Sequence, residues 1–142
     1  MAEAAPDAVI KSFVPMAGLS GLEDYRLGDR RLTFTALATQ HRFQDHSTIR
    51  CNHRFMLNPD LVDPLTTAGM VVTATDSTAQ IVDAMAWPHH VFYQGMQGHP
   101  EQSSSAGNPH PLIEDFLQAA KTLADSSSGV QKGASGRPDL HP

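Results

Sequence analysis

The amino-acid sequence predicts a mixed fold in which several short strands precede one terminal helix. Three observations carry this reading. In "HPLIEDFLQAAKTLA" (110–124), Leu112, Ile113, Phe116, Leu117, Ala120 and Leu123 recur at helical spacing and make one apolar face. Upstream, short runs rich in β-branched and aromatic residues alternate with Gly, Pro, Asn and Asp punctuation, the pattern of strands and turns. No internal repeat interrupts the chain, and composition changes only after residue 124, so 1–124 reads as one domain and 125–142 as a tail.

"AVIKSFV" (Ala8–Val14) reads as a short strand and the glycine-rich "GLSGLED" after it as a loop. "RRLTFTALATQ" (Arg30–Gln40) and "STIRCNHRFML" (Ser47–Leu57) read as strands. "NPDLVDPLTTAG" predicts a helix of one or two turns: Asn58 is the N-cap, Pro59 the first helical position, Pro64 limits its length and Gly69 stops it. "MVVTATDS" (Met70–Ser77) and "IVDAMAWP" (Ile81–Pro88) flank a turn and predict a hairpin. "VFYQGMQ" (Val91–Gln97) reads as a short buried strand. The apolar face of the 110–124 helix is expected in the core. "DSSSGVQKGASGRPDLHP", from Asp125, is Ser/Gly/Pro-rich and reads as a disordered tail.

Composition narrows the function. Ten basic against fifteen acidic residues give a net charge of -5, which argues against broad nucleic-acid binding. No apolar run approaches a membrane span, and "MAEAAPDAVIK" lacks the basic start and apolar stretch of a secretory signal. The single cysteine, Cys51, excludes an internal disulfide framework. The expectation is a cytoplasmic protein. Eight histidines stand out, four of them (His89, His90, His99 and His110) close together, but their spacing matches no zinc motif. No metal and no cofactor is expected.

The chemistry concentrates in "YQGMQGHPEQSS" (Tyr93–Ser104). A His and a carboxylate two residues apart, where a strand ends, suit a general base and the group that orients it. His99 and Glu101 are the candidate catalytic residues.

Four stretches in order resemble one family. "YRLGDRRLTF" is similar to a T-M-R-L-G-x-R-x-x-x-F pattern at Arg26, Leu27, Gly28, Arg30 and Phe34. "RCNHRFMLNP" is similar to R-H-R-H-R-Y-E-V-N-P at Arg50, His53, Arg54, Asn58 and Pro59. "PHHVFYQGMQGHPE" and "PHPLIEDFLQAA" resemble the two motifs around the family's His-Pro-Glu. Together they resemble the second half of the CTP synthase glutaminase domain, a class I glutamine amidotransferase, over roughly residues 8–122. The resemblance implies an α/β fold: a partial class I glutamine amidotransferase-like sheet, closed by a C-terminal packing helix. It also implies a Cys-His-Glu triad that hydrolyses glutamine, with His99 as base and Glu101 as its orienter. Arg54 matches the arginine associated with the glutamine α-carboxylate, and a guanidinium fork suits that group. His53 stands beside it, and both are candidate substrate-binding residues.

The sequence also departs from the pattern. No G-x-C-x-G-x-Q elbow occurs in these residues, and Cys51 lies in the second motif, on an expected strand. Met56 replaces a Glu. Gly98 replaces an aromatic before His99, and Gln102 another after Glu101. Gly98 and Gln102 are expected to widen a substrate pocket around His99, with Trp87, Val91, Phe92 and Tyr93 as apolar walls.

Three functions compete. One is an amidotransferase-like protein without its nucleophile and without glutaminase activity of its own. Another is a repurposed isomerase, cyclase or lyase that uses His99 and Glu101 for proton transfer on a small molecule. The third is a non-catalytic binding or regulatory subunit. A parallel half-sheet would leave an exposed edge, so a homodimer or a partner chain that completes the sheet is expected.

Overall fold

The computed structural model describes residues 10–18, 21–36 and 47–131. Eight strands and two α-helices appear among them. They are β1 (Phe13–Pro15), β2 (Arg26–Arg31), β3 (Thr33–Phe34), β4 (Thr48–His53), β5 (Phe55–Leu57), α1 (Val62–Thr67), β6 (Val71–Thr75), β7 (Val82–Ala86), β8 (Gln94–Met96) and α2 (Pro111–Gln131). Two-stranded pairs β1–β5 and β2–β4 accompany a four-stranded sheet in the order β3-β6-β7-β8. Every pairing among the described residues is antiparallel, so the parallel half-sheet expected from the sequence is not what these strands build.

The local chemistry explains most elements. Asn58 caps a 3-10 turn over Pro59–Leu61 by accepting the Asp60 N–H at 3.0 Å, and α1 follows directly. Gly69, at φ 106°, ends that helix in a conformation that costs a side chain dearly. The β6–β7 hairpin turns on Asp76, whose carboxylate accepts the N–H groups of Thr78, Gln80 and Ile81. Those bonds, with the Thr78 hydroxyl, outweigh its partial burial and hold Asp76 below the usual carboxylate range.

Other elements differ from expectation. The first strand starts at Phe13, and Ala8 lies outside the described residues. β2 begins at Arg26, ahead of the expected Arg30, because the alternation Arg26, Gly28, Arg30 already meets β4 in register; residues 37–40 lie outside the described part. The Ser47–Leu57 run breaks at Arg54, so β4 joins β2 while β5 joins β1.

Only Gln94–Met96 of the Val91–Gln97 run is strand, and it is not buried: Val91 is 68 % and Tyr93 53 % exposed. β8 is the last strand of its sheet, and no further strand pairs with it among the described residues.

α2 continues through Asp125 to Gln131, into the stretch read as a tail. The Ser126 and Ser127 hydroxyls donate to the Leu123 carbonyl at 2.8 and 2.9 Å, which lets serines sit in a helix. Residues 132–142 lie outside the described part. The apolar face of α2 is not core: Phe116, Leu117 and Leu123 are exposed. Its first turn packs most closely, through Pro111 and Leu112, and farther along the Phe116 ring meets Phe92 edge-to-face at 5.5 Å while Ala119 is half-buried.

The core forms between β4 and the four-stranded sheet, where Leu32, Ile49, Cys51, Ala74 and Ala84 are buried with Phe34 and Met96 against them. A second cluster of Met16, Met56 and Ile81 sits under the β1–β5 pair. Met56, the residue that departs from the family's Glu, is therefore a core side chain.

Candidate active site

His99 is set by a three-residue strap. β8 ends at Met96, after which the Gln97 N–H donates to the Asp83 carbonyl of β7 at 2.8 Å. Two residues later the His99 N–H donates to the Arg50 carbonyl of β4, also at 2.8 Å. The strap thus bridges the large sheet and the β2–β4 pair. Gly98 lies between these bonds, hard against the core. A Cβ built on it would stand 2.2 Å from Ile49 Cγ1 and 2.8 Å from Ile49 Cγ2. Gly98 therefore leaves no room for a ligand. Ile49 fills that space, and the widened pocket expected from the sequence is absent there.

Pro100 then opens a 3-10 turn over Pro100–Ser103 that folds Glu101 back on the imidazole. His99 Nδ1 lies 2.8 Å from Glu101 Oε1. A carboxylate accepts, so Nδ1 carries a proton, and in the neutral ring Nε2 is the nitrogen with the lone pair. The side chains are 34 % and 61 % exposed, open to solvent on one side. The Glu101 N–H, and then His99, hold the Glu101 carboxyl below its ordinary range.

Across β4, Ile49, Cys51 and His53 turn inward while Arg50 and Asn52 face solvent. His53 Nδ1–H donates to the Phe55 carbonyl at 3.0 Å. Burial, then the Arg26 charge, push the His53 imidazole below its ordinary pKa, and His99 adds to that field. His53 is thus a neutral ring on the His99 side of the molecule. Arg54 is exposed at the bend between β4 and β5 and forms no ion pair among the described residues. The structure brings together His99, Glu101 and Gly98, with His53 in electrostatic range, and leaves Arg54 on the surface.

Cys51 is 1 % exposed and faces Gly28 across the β2–β4 pair. Burial pushes its thiol up, with the Arg26 charge acting the other way.

Sequence reasoning missed the buried ion pair of Arg26 and Asp83. The guanidinium grips both carboxylate oxygens, one of them at 3.2 Å. Burial pushes the Asp83 carboxyl up, and the guanidinium opposes it. The signal was there: Asp83 is a lone charge inside the apolar run "IVDAMA". Its partner is 57 residues away. The Asp83 carbonyl also accepts the Gln97 N–H of the strap, so the pair anchors the frame that carries His99.

The other histidines do not join the site. His90 Nδ1 lies 2.9 Å from the Phe92 carbonyl. His110 is buried and caps α2, accepting the Leu112 N–H at Nδ1. No group of three or more His, Cys, Asp or Glu among the described residues is placed to hold a metal ion. Two cavities flank β8, a mostly apolar one of about 430 Å³ and one of about 470 Å³ that Asp115, Gln118 and Thr122 help make half polar. Trp87, Val91, Phe92 and Tyr93 line them, but His99 lines neither, which removes the apolar pocket expected around it. No described helix is long and apolar enough to cross a membrane.

The family model for glutamine amidotransferase class-I matches residues 21–119. The chain belongs to that family. Among similar proteins, the chain is 36% identical over 77 residues to the CTP synthase of Nitratidesulfovibrio vulgaris, covering 54% of this chain and 14% of that protein. It is 32% identical over 97 residues to the CTP synthase of Flavobacterium johnsoniae, 67% of this chain and 18% of the relative. With the CTP synthase of Dehalococcoides mccartyi it shares 40% over 74 residues, 52% of this chain and 14% of the relative. The chain therefore spans less than a fifth of these relatives. Its α/β fold matches the Trypanosoma brucei CTPS glutaminase domain with bound acivicin at a TM-score of 0.66 and 23% identity, over 81% of this chain and 48% of that one.

Proposed function

We propose that His99 and Glu101 are the general-base arm of a class I amidotransferase-type site for glutamine, and that these 142 residues do not by themselves release ammonia from it. The 2.8 Å contact from Nδ1 to Oε1 supports the base, because it leaves Nε2 as the proton acceptor. In such a cycle Nε2 takes a thiol proton and the thiolate attacks the carboxamide carbon. The imidazolium returns that proton to the nitrogen as ammonia leaves, and water then cleaves the thioester. Cys51 is a poor thiol for this step, since it is buried in a strand and burial raises its pKa. The nucleophile of the cycle is not Cys51.

A repurposed proton-transfer enzyme draws less support, because Ile49 occupies the space at Gly98 and neither cavity beside β8 reaches His99. The test has two arms. Purified chain incubated with L-glutamine should release no ammonia above a protein-free blank; sustained release that Cys51→Ala abolishes refutes the second half of the proposal. L-glutamine should also move the ring resonances of His99 in an NMR titration but not those of His89, and silence of His99 at saturating glutamine refutes the first half.

A further inference from the structure

The cavity of about 470 Å³ has aromatic rings on one side and polar side chains of α2 on the other. The aromatic wall is a tied loop. The Trp87 N–H donates to the Tyr93 carbonyl at 2.8 Å, and the His90 N–H donates to the Trp87 carbonyl at 3.1 Å. Within the loop the Trp87 and Tyr93 rings meet at 77° with centroids 6.1 Å apart, and the His90 and Tyr93 rings at 74° and 5.9 Å. Rings at near right angles make a corner rather than a stack, and a corner gives one guest several rings to lie against. Trp87 is 40 % and Tyr93 53 % exposed, so much of that ring surface is open. On the other side, the edge-to-face contact of Phe116 with Phe92 holds α2 against the loop. It brings Asp115, Gln118 and Thr122, which recur at helical spacing, to the cavity wall. Asp115 is a half-buried carboxylate. The Thr122 hydroxyl gives its proton to the Gln118 carbonyl at 2.9 Å, so it offers a guest only lone pairs. No lysine or arginine among the described residues lines the cavity.

We propose that this cavity binds a small molecule through a methylated ammonium group. The negative face of an aromatic ring attracts a cation, and indole does so most strongly of the side-chain rings. Methyl groups give the cation an apolar surface that fits ring walls, and the Asp115 carboxylate supplies the opposite charge at short range. The volume of about 470 Å³ lies in the range of small-molecule sites. Other ligand classes meet an obstacle in the same residues. An anion would face Asp115 and a chain of net charge -5, with no basic side chain among the described walls to hold it. A neutral apolar molecule would cut the polar groups of α2 off from water without pairing them. A metal ion would find no group of three or more His, Cys, Asp or Glu among the described residues. His99 does not line this cavity, so glutamine chemistry at His99 is independent of it.

Trp87 is the one tryptophan of the chain, so its fluorescence reads the cavity directly. The probes, at constant ionic strength, are choline, its uncharged isostere 3,3-dimethylbutan-1-ol and its unmethylated relative ethanolamine. Choline should change Trp87 emission saturably at low-millimolar concentration or below. The protein should also move the choline N-methyl proton resonance upfield, as methyls over ring faces do. The isostere and ethanolamine should each bind at least about fivefold more weakly, the factor that one cation–π contact supplies. Asp115→Asn should weaken choline by a similar factor and leave the isostere unchanged. Tyr93→Leu should weaken choline as well, while circular dichroism of both variants stays that of the wild type. Absence of saturable choline binding overturns the proposal. Equal binding of the isostere overturns it in favour of an uncharged hollow, and equal or tighter binding of ethanolamine in favour of a primary amine. Choline affinity unchanged in Asp115→Asn and Tyr93→Leu overturns the site, since choline would then bind elsewhere. Neither ammonia release nor the His99 resonances enter these measurements, so failure here is distinct from failure of the glutamine reading.

Discussion

Replacing Gly98 by Ala should damage both the core and the site, and the size of the effect follows from the contact with Ile49. The new methyl would lie 2.2 Å from Ile49 Cγ1. That is about 1.3 Å inside an ordinary carbon–carbon contact of about 3.5 Å. Ile49 is 1 % exposed and enclosed by Leu32, Cys51, Ala74 and Ala84, so it has nowhere to turn. Overpacking of this kind costs about 1–3 kcal/mol. If the strap retreats instead, the 2.8 Å bond from His99 N–H to the Arg50 carbonyl breaks, adding about 1 kcal/mol. Gly98→Ala should therefore destabilise by about 2–4 kcal/mol in urea unfolding. Ile49→Ala costs about 2–5 kcal/mol alone as a cavity, yet it deletes the atoms that clash. The double variant should be less destabilised than the sum of the singles, by about 1–2 kcal/mol. A Gly98→Ala protein within about 0.5 kcal/mol of wild type, or an additive cycle, refutes the packing argument.

Asp83→Asn should cost about 3–5 kcal/mol in urea unfolding, because it leaves the buried Arg26 guanidinium without a counter-charge; Arg26→Met combined with Asp83→Leu should recover much of that loss. His53 is held neutral, its pKa below the ordinary 6.5 by burial and by Arg26. The unfolded chain therefore takes up a proton that the folded one refuses, and stability falls as pH drops below 6.5 toward the folded pKa. His53→Gln should flatten this slope, measured as urea midpoint against pH, and an unchanged slope rejects the neutral ring. The Cys51 thiol should react with iodoacetamide at least about 100-fold more slowly in the folded protein than in urea, since alkylation needs local opening; equal rates would mean an accessible thiol.

Where neighbours in sequence decide the structure, the chain is legible. Asn58, Pro59 and Gly69 mark both ends of the first helix, and the hairpin follows from two β-branched runs around Asp76. His99 and Glu101 meet because a proline turn needs only two residues to join them. Long-range encounters are not legible. Nothing local says that Ile49 will fill the place beside Gly98, and a glycine in place of an aromatic reads as an opening until the facing side chain is known. Arg26 and Asp83 each look like a charge in a strand, and only the fold makes them a pair. The apolar stripe of α2 has the period of a buried helix. Period reports which side chains share a face, and what lies opposite that face depends on where the sheet ends.

The strap from Gln97 to His99 has a mechanical consequence. Its two backbone bonds attach to strands of different sheets, and only Gly98 lies between the bonded residues. A slip of one sheet past the other by a single strand residue is about 3.3 Å, more than three residues can absorb with both bonds intact. The imidazole therefore has a fixed address only while the sheets keep their alignment, and a load applied at β8 reaches it through a link one residue beyond the strand's end.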